Sequence, residues 1–169
     1  MLTLITGGCR SGKSTHAIAL ASRSTAPRKF FIATAEALDD EMRVRIEHHR
    51  RGRPAEFQTI EEPRKLRAAI ESLHGRADVV VVDCLTLWIS NLLEEYGDDA
   101  ILAEAGALTG VLRAPFSTIV VTDEVGWGIV PDNPVARRFR DLLGWTNQKI
   151  AQAADEVLLM AAGYPLRLK

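Results

Sequence analysis

The sequence predicts an α/β fold, a mostly parallel sheet with helices on both faces, and three observations lead there. Short apolar, β-branched runs recur along the chain: Leu2–Thr6, Lys29–Ala33, Val79–Asp83, Thr118–Thr122 and Val157–Ala161. A run as continuous as Val79-Val80-Val81-Val82 suits a strand buried on both faces, which is how strands of a parallel sheet lie. The spacers between runs are long enough for crossover helices. With 169 residues, the chain can bury a core as one domain, residues 1–169. No repeat, low-complexity stretch or linker argues for a second domain.

The elements follow in order. The first run enters a Gly-rich turn, and a helix leaves it from Lys13 to about Ser22. Asp39 or Asp40 caps a second helix that runs to about Arg51 and stops at Gly52, with Pro54 just beyond. A third, Thr86 to Tyr96, sets Trp88, Leu92 and Tyr96 on one face. The last begins with Asn133 as cap and Pro134 at its first position, and its stripe is Val135, Phe139, Leu142, Thr146, Ile150 and Ala153. After Gly163-Tyr164-Pro165, the tail Leu166–Lys169 pairs back as a short antiparallel edge.

Composition excludes several classes of function. Apolar residues make up 47% and charged residues 25%, the balance of a globular protein rather than a disordered one. The net charge is −1, so there is no basic field for nucleic acid or a membrane surface. The apolar runs are far shorter than a bilayer span, and the N-terminus reads as a buried strand rather than a signal peptide. Two cysteines, Cys9 and Cys84, lack metal-ligand spacing. Both are expected to be small buried thiols, and a cytoplasmic, reducing location follows.

Gly7-Gly8-Cys9-Arg10-Ser11-Gly12-Lys13-Ser14 fits G-x-x-x-x-G-K-[ST], with a strand before it and a helix after. Glycines let successive backbone N–H groups turn inward onto phosphate oxygens, and the helix adds its positive N-terminal end. Lys13 brings a compact charge to the β and γ phosphates. Ser14 supplies a hydroxyl for Mg2+. Asp83, closing the strongest apolar run, is the expected partner in holding that metal. Asp123-Glu124, which follow the Thr118–Thr122 run, compete for the role, because acids at the carboxyl ends of parallel strands face the binding crevice.

The segment from Asp39 to Pro54 sets His48 and His49 beside a dense group of arginines. Neighbouring helical residues diverge by about 100°, so only one histidine can face a given site. His49 shares a stripe with Met42 and Ile46, while His48 lies over Val44; periodicity does not choose between them. One reading is an exposed basic helix with two solvated histidines. The other is an imidazole nucleophile among anion-binding guanidiniums, able to attack phosphorus and hold the group covalently.

The P-loop, Ile32-Ala33-Thr34-Ala35, the helix from Leu38-Asp39-Asp40-Glu41-Met42 to His48-His49, and Gly52-Arg53-Pro54 together resemble the bifunctional adenosylcobinamide kinase/adenosylcobinamide-phosphate guanylyltransferases. So do Glu124-Val125-Gly126, Gly128-Ile129-Val130-Pro131, Arg138-Phe139-Arg140-Asp141, Asn147-Gln148 and Ala153-Ala154-Asp155-Glu156-Val157, so that the likeness covers essentially the whole chain. It implies a RecA-like P-loop NTPase fold, and phosphorylation of adenosylcobinamide by a nucleoside triphosphate, GTP or ATP. GMP transfer from GTP then follows through a GMP–histidine intermediate, giving adenosyl-GDP-cobinamide and pyrophosphate. It implies His49 as the GMP carrier and Lys13 as its catalytic companion. Nucleotide contacts would fall on Gly7 to Ser14, Ala33, Thr34, Ala35, Arg50, Arg51, Gly52, Arg53, Glu61 or Glu62, and Asp83. It also implies a homotrimer. Two departures stand out: Asp123 replaces a common Asn, where an acid can bind magnesium or repel phosphate, and the Leu93-to-Leu112 region is short. Two alternatives are a guanylyltransferase without kinase activity and a P-loop regulatory switch. The switch expects a guanine-reading N-K-x-D element, and the nearest string, Asn147-Gln148-Lys149, falls inside a helix.

Overall fold

The computed structural model describes residues 1–37 and 39–169; Leu38, quoted above in the family motif, lies outside the described residues. Seven strands form one sheet: β1 (Leu2–Gly7), β2 (Lys29–Ala33), β3 (Phe57–Glu61), β4 (Val79–Asp83), β5 (Ser117–Val121), β6 (Glu156–Ala161) and β7 (Tyr164–Arg167). Their order is β3-β2-β4-β5-β1-β6-β7, parallel throughout except for β7, which runs antiparallel to β6. The helices are α1 (Lys13–Ser22), α2 (Asp40–Arg51), α3 (Leu66–Glu71), α4 (Leu85–Leu93), α5 (Asp98–Leu112) and α6 (Pro134–Ala153).

Alternation along the strands splits the core into two layers, because successive side chains point to opposite faces. Leu4, Ile32, Val80, Val82 and Val120 pack with residues of α3, α4, α5 and α6 on one face. Ile5, Phe31, Val79, Val81, Ile119 and Val121 pack with Ala17 and Ala21 of α1 on the other. Every β1 residue is buried, as expected for a strand flanked on both edges by parallel neighbours.

All five expected strands form, within a residue of their expected ends. Three elements were not expected. Strand β3 is an edge strand whose side chains are mostly exposed, so it carries no continuous apolar run. Helix α5 buries Ile101, Ala105, Leu108 and Leu112, a helical stripe of small and aliphatic residues. Helix α3 has six residues, with Leu66 and Ile70 buried one turn apart.

Other details are corrected, and the helix caps are borne out. The third expected helix starts at Leu85 and ends at Leu93; Trp88 and Leu92 are buried, but Tyr96 lies beyond it and is exposed. On α6, Leu142, Thr146 and Ile150 are buried while Val135 in the first turn is exposed. Asn133 caps α6, accepting from the Val135 N–H at 2.8 Å. Asp39, rather than Asp40, caps α2, accepting from the Met42 N–H at 2.6 Å. The two cysteines part ways: Cys84 is buried, but Cys9 is exposed because the Gly-rich loop turns it outward.

Candidate active site

Parallel order brings the carboxyl ends of β1, β2, β4 and β5 to one edge of the sheet, where the P-loop leaves β1. Two glycines there are obligatory in shape. Gly7 has φ +148°, and a Cβ on it would lie 2.5 Å from the Met160 carbonyl oxygen. Gly12, at φ +94°, starts α1 in a left-handed turn. Gly163 at the tip of the β6–β7 hairpin donates its N–H to the Ser11 carbonyl at 3.0 Å, so the last two strands brace the loop. Gly8, Cys9 and Arg10 are exposed around this turn, while Ser11 is buried and its hydroxyl has no partner among the described residues.

Lys13 is buried at the first position of α1. Its Nζ donates to the Gly8 carbonyl at 2.6 Å and pairs with Asp123 Oδ1 at 2.6 Å. Two side chains clamp the backbone of Asp123. Its N–H donates to Thr86 Oγ1 at 2.7 Å, and its carbonyl accepts from Asn147 Nδ2 at 3.0 Å. Thr122 Oγ1 donates to Asn147 Oδ1 at 2.7 Å and so orients that amide. Neither Thr86 nor Asn147 stood out in the sequence as a support for Asp123, since each is one polar residue in an otherwise ordinary helix.

Asp83 ends β4 beside the P-loop. Burial pushes its carboxyl up; a hydrogen bond from Ser14, the charges of His49 and Arg53 oppose this, and Asp123 adds to it. Among the described residues no three His, Cys, Asp or Glu converge as a metal cage. The donor set still suits Mg2+, a hard ion that takes one or two protein oxygens and completes its shell with phosphate and water. Ser14, at the second position of α1, and Asp83, at the end of β4, offer such a pair of oxygens. Glu124, the third acid at this edge, folds back to accept from the Gly126 N–H at 3.0 Å.

Beside Asp83 runs the turn Ala33–Ala35. Thr34 is fully buried: its Oγ1 accepts from the Cys84 N–H at 2.8 Å and donates to the Cys84 carbonyl at 2.6 Å. Its side chain is therefore committed to holding β2 against β4, leaving backbone and neighbours to meet a ligand. Asn91 joins this turn to the one after β3, donating to the Thr34 carbonyl at 2.8 Å and the Pro63 carbonyl at 3.0 Å. The Cys84 thiol is pushed up to about 12, chiefly by burial, which makes it inert.

Helix α2 supplies the rest. Its two histidines are both exposed, with ring centres 6.4 Å apart and planes at 77°. His49 is among the charges that act on Asp83. His48 lines a separate groove with Arg43, Val44, Glu47 and Arg51. Arg51 pairs with Glu47 at 3.1 Å on that outer face, away from the residues gathered around Asp83. Arg50 and Arg53 instead border a cleft of about 290 Å³ with Phe57 and Glu61. Arg50 reaches Glu61 at 3.7 Å. Glu62, the other candidate, accepts from the N–H groups of Arg64 and Lys65 at 3.0 and 2.8 Å and is absorbed in that turn. Arg53 lies over the Phe31 ring, 4.3 Å from its centre, and its Nε and Nη1 have no acceptor among the described residues. Burial lowers its pKa while Asp83 and Glu61 pull the other way. A half-buried guanidinium with free donors is a ready anion site.

Residues 3–168 match the family model described as "Cobinamide kinase / cobinamide phosphate guanyltransferase". The chain belongs to this family. It is 43% identical over 183 aligned positions to the bifunctional adenosylcobalamin biosynthesis protein CobU of Escherichia coli (strain K12), covering 100% of each chain. It is 42% identical over 170 positions to the bifunctional adenosylcobalamin biosynthesis protein CobP of Pseudomonas aeruginosa (strain PAO1), covering 100% of this chain and 98% of that protein. Among solved structures, the RadB recombinase superposes with a TM-score of 0.53 at 21% identity, covering 94% of this chain and 73% of the other. That likeness carries the RecA-like fold alone.

Proposed function

We propose that this transferase works in adenosylcobalamin biosynthesis, phosphorylating adenosylcobinamide and then transferring GMP from GTP to adenosylcobinamide phosphate, with His49 as the GMP carrier. In the first half-reaction the cobinamide hydroxyl attacks the γ phosphorus of a nucleoside triphosphate held on Gly7 to Ser14; the bond to the β–γ bridging oxygen breaks, the nucleoside diphosphate leaves and the hydroxyl proton passes to water, with Lys13 meeting the charge that develops. In the second, neutral His49 attacks the α phosphorus of GTP and pyrophosphate leaves. An oxygen of the cobinamide phosphate then takes the GMP and frees the imidazole. Arg50 and Arg53 hold the phosphates for that attack. Ser14 and Asp83 would hold Mg2+, which would supply charge neutralisation at the phosphates.

The observation that carries this reading is the division of the histidine pair. His48 lines the outer groove, while His49 is among the charges that act on Asp83. The test is incubation with α-labelled GTP and magnesium. Label is expected to survive denaturation and base and to be released by acid, as a phosphoramidate should. Label absent from the wild type would favour a kinase without transferase activity or a regulatory switch. The chain is proposed to work as one domain and to associate as a homotrimer. The exposed Tyr164 and Leu166 of β7, with Leu168 just beyond it, support self-association, which light scattering checks. No described helix is long and apolar enough to cross a membrane.

A further inference from the structure

Resting on the P-loop reading above, we propose that Asp123 is a specificity-determining residue that makes the site accept magnesium-bound triphosphate and reject the metal-free form. In the free protein Asp123 is the counter-ion of Lys13, at 2.6 Å and with both groups largely sheltered. A triphosphate on the P-loop needs Lys13 for its own oxygens and must take it from Asp123. The carboxylate then stands beside the phosphates without a cation.

Three features keep it there. Its N–H is held by Thr86 and its carbonyl by Asn147, from two different helices, so the backbone cannot withdraw. Asn147 is itself oriented by Thr122. On the other side Asp83 adds a second carboxylate near enough for the two charges to repel. A metal-free triphosphate therefore meets two acids on one side of the loop. A magnesium complex meets the same acids with a divalent charge to satisfy them, directly or through its water shell. An asparagine at 123 would keep the shape and the backbone clamps but leave no stranded charge, so it would discriminate less.

The test is calorimetric binding of the α,β-methylene analogue of GTP, which cannot be cleaved at the α phosphorus, with excess magnesium and with chelator. Wild type should bind the magnesium form at least about tenfold more tightly, and Asp123→Asn should narrow that ratio to about threefold or less. The narrowing should come from tighter binding of the metal-free analogue. Asp123→Ser, which also lacks the charge, should behave the same way, and thermal unfolding shows that each variant is folded. An unchanged ratio overturns the proposal. So does equal tightening of both forms, because Asp123 would then only compete for Lys13 and not select the metal complex. Failure of wild type to bind even the magnesium form overturns the nucleotide reading itself, a result separate from either.

Discussion

The P-loop, which follows β1, and helix α2, which follows β2, are built in opposite ways. Around the P-loop the central groups are tied to protein partners: Lys13 has Gly8 and Asp123, Asp123 has Thr86 and Asn147, and Thr34 has Cys84. None of the described side chains of α2 is buried, Val44 is 71% exposed, and its ion pairs are solvent-facing. The first region is preorganised, so substitutions there should disturb stability and chemistry together. The second is held by its cap and by few tertiary contacts, so its residues can be removed at little structural cost. One half of the site thus reports on fold and function at once, and the other on function alone.

The sharpest division is expected within α2. His49→Ala should abolish covalent labelling by α-labelled GTP while cobinamide phosphorylation continues, and His48→Ala should keep both. Each should change unfolding free energy by less than about 0.5 kcal/mol, as for other exposed positions. Label lost in His48→Ala and kept in His49→Ala would reverse the assignment.

Lys13→Ala should lower both half-reactions by about 10²–10³-fold, the usual cost of removing one preorganised charge. Unlike the α2 variants it should also destabilise the protein, by about 1 kcal/mol, because Asp123 loses its cation. Combining it with Asp123→Asn should recover that stability and none of the activity. A Lys13→Ala enzyme with normal GTP binding and rates would remove the P-loop assignment.

Asp83 should behave as a strained member of the ordered half. Asp83→Asn should raise the magnesium concentration needed for activity more than Asp123→Asn does, which activity against magnesium measures. An inverted order would move the metal to Asp123. Burial raises the Asp83 pKa above 3.8, so the folded protein binds this proton more tightly than the unfolded chain. Wild-type stability should therefore fall as pH rises from 3.8 through the folded value. Asp83→Asn should melt higher than wild type above that range and lose its advantage below it, as melting temperature against pH will show.

The smallest effect expected concerns the cysteines. Exposed Cys9 should react with iodoacetamide and be shielded by bound nucleotide, whereas buried Cys84 should react only on unfolding. Mass spectrometry reads both, and native labelling of Cys84 would mean that the β2–β4 junction opens.

Signals that live in neighbouring residues were legible without coordinates. The five apolar strands, the P-loop, the Asn133–Pro134 start of α6 and the stop at Gly52 each follow from local sterics, burial or capping. Helix geometry allowed only one of His48 and His49 to face a given site and did not say which; the family resemblance named His49 as the expected carrier. The sequence did not reveal β3, an edge strand whose outward side chains are polar, or α5, whose Ile101–Leu112 stripe is spaced for a helix but mixed with alanine and glycine. Nor could it reveal pairings between distant segments. Asp123 meets Lys13 across 110 residues of chain, Asn147 reaches the Asp123 backbone from the far helix, Thr34 locks onto Cys84, and Glu61 rather than Glu62 borders the Arg53 cleft. Those choices depend on strand order, since inserting β5 between β1 and β4 sets the end of β5 directly beside the P-loop, and strand order comes from tertiary packing rather than from any local pattern.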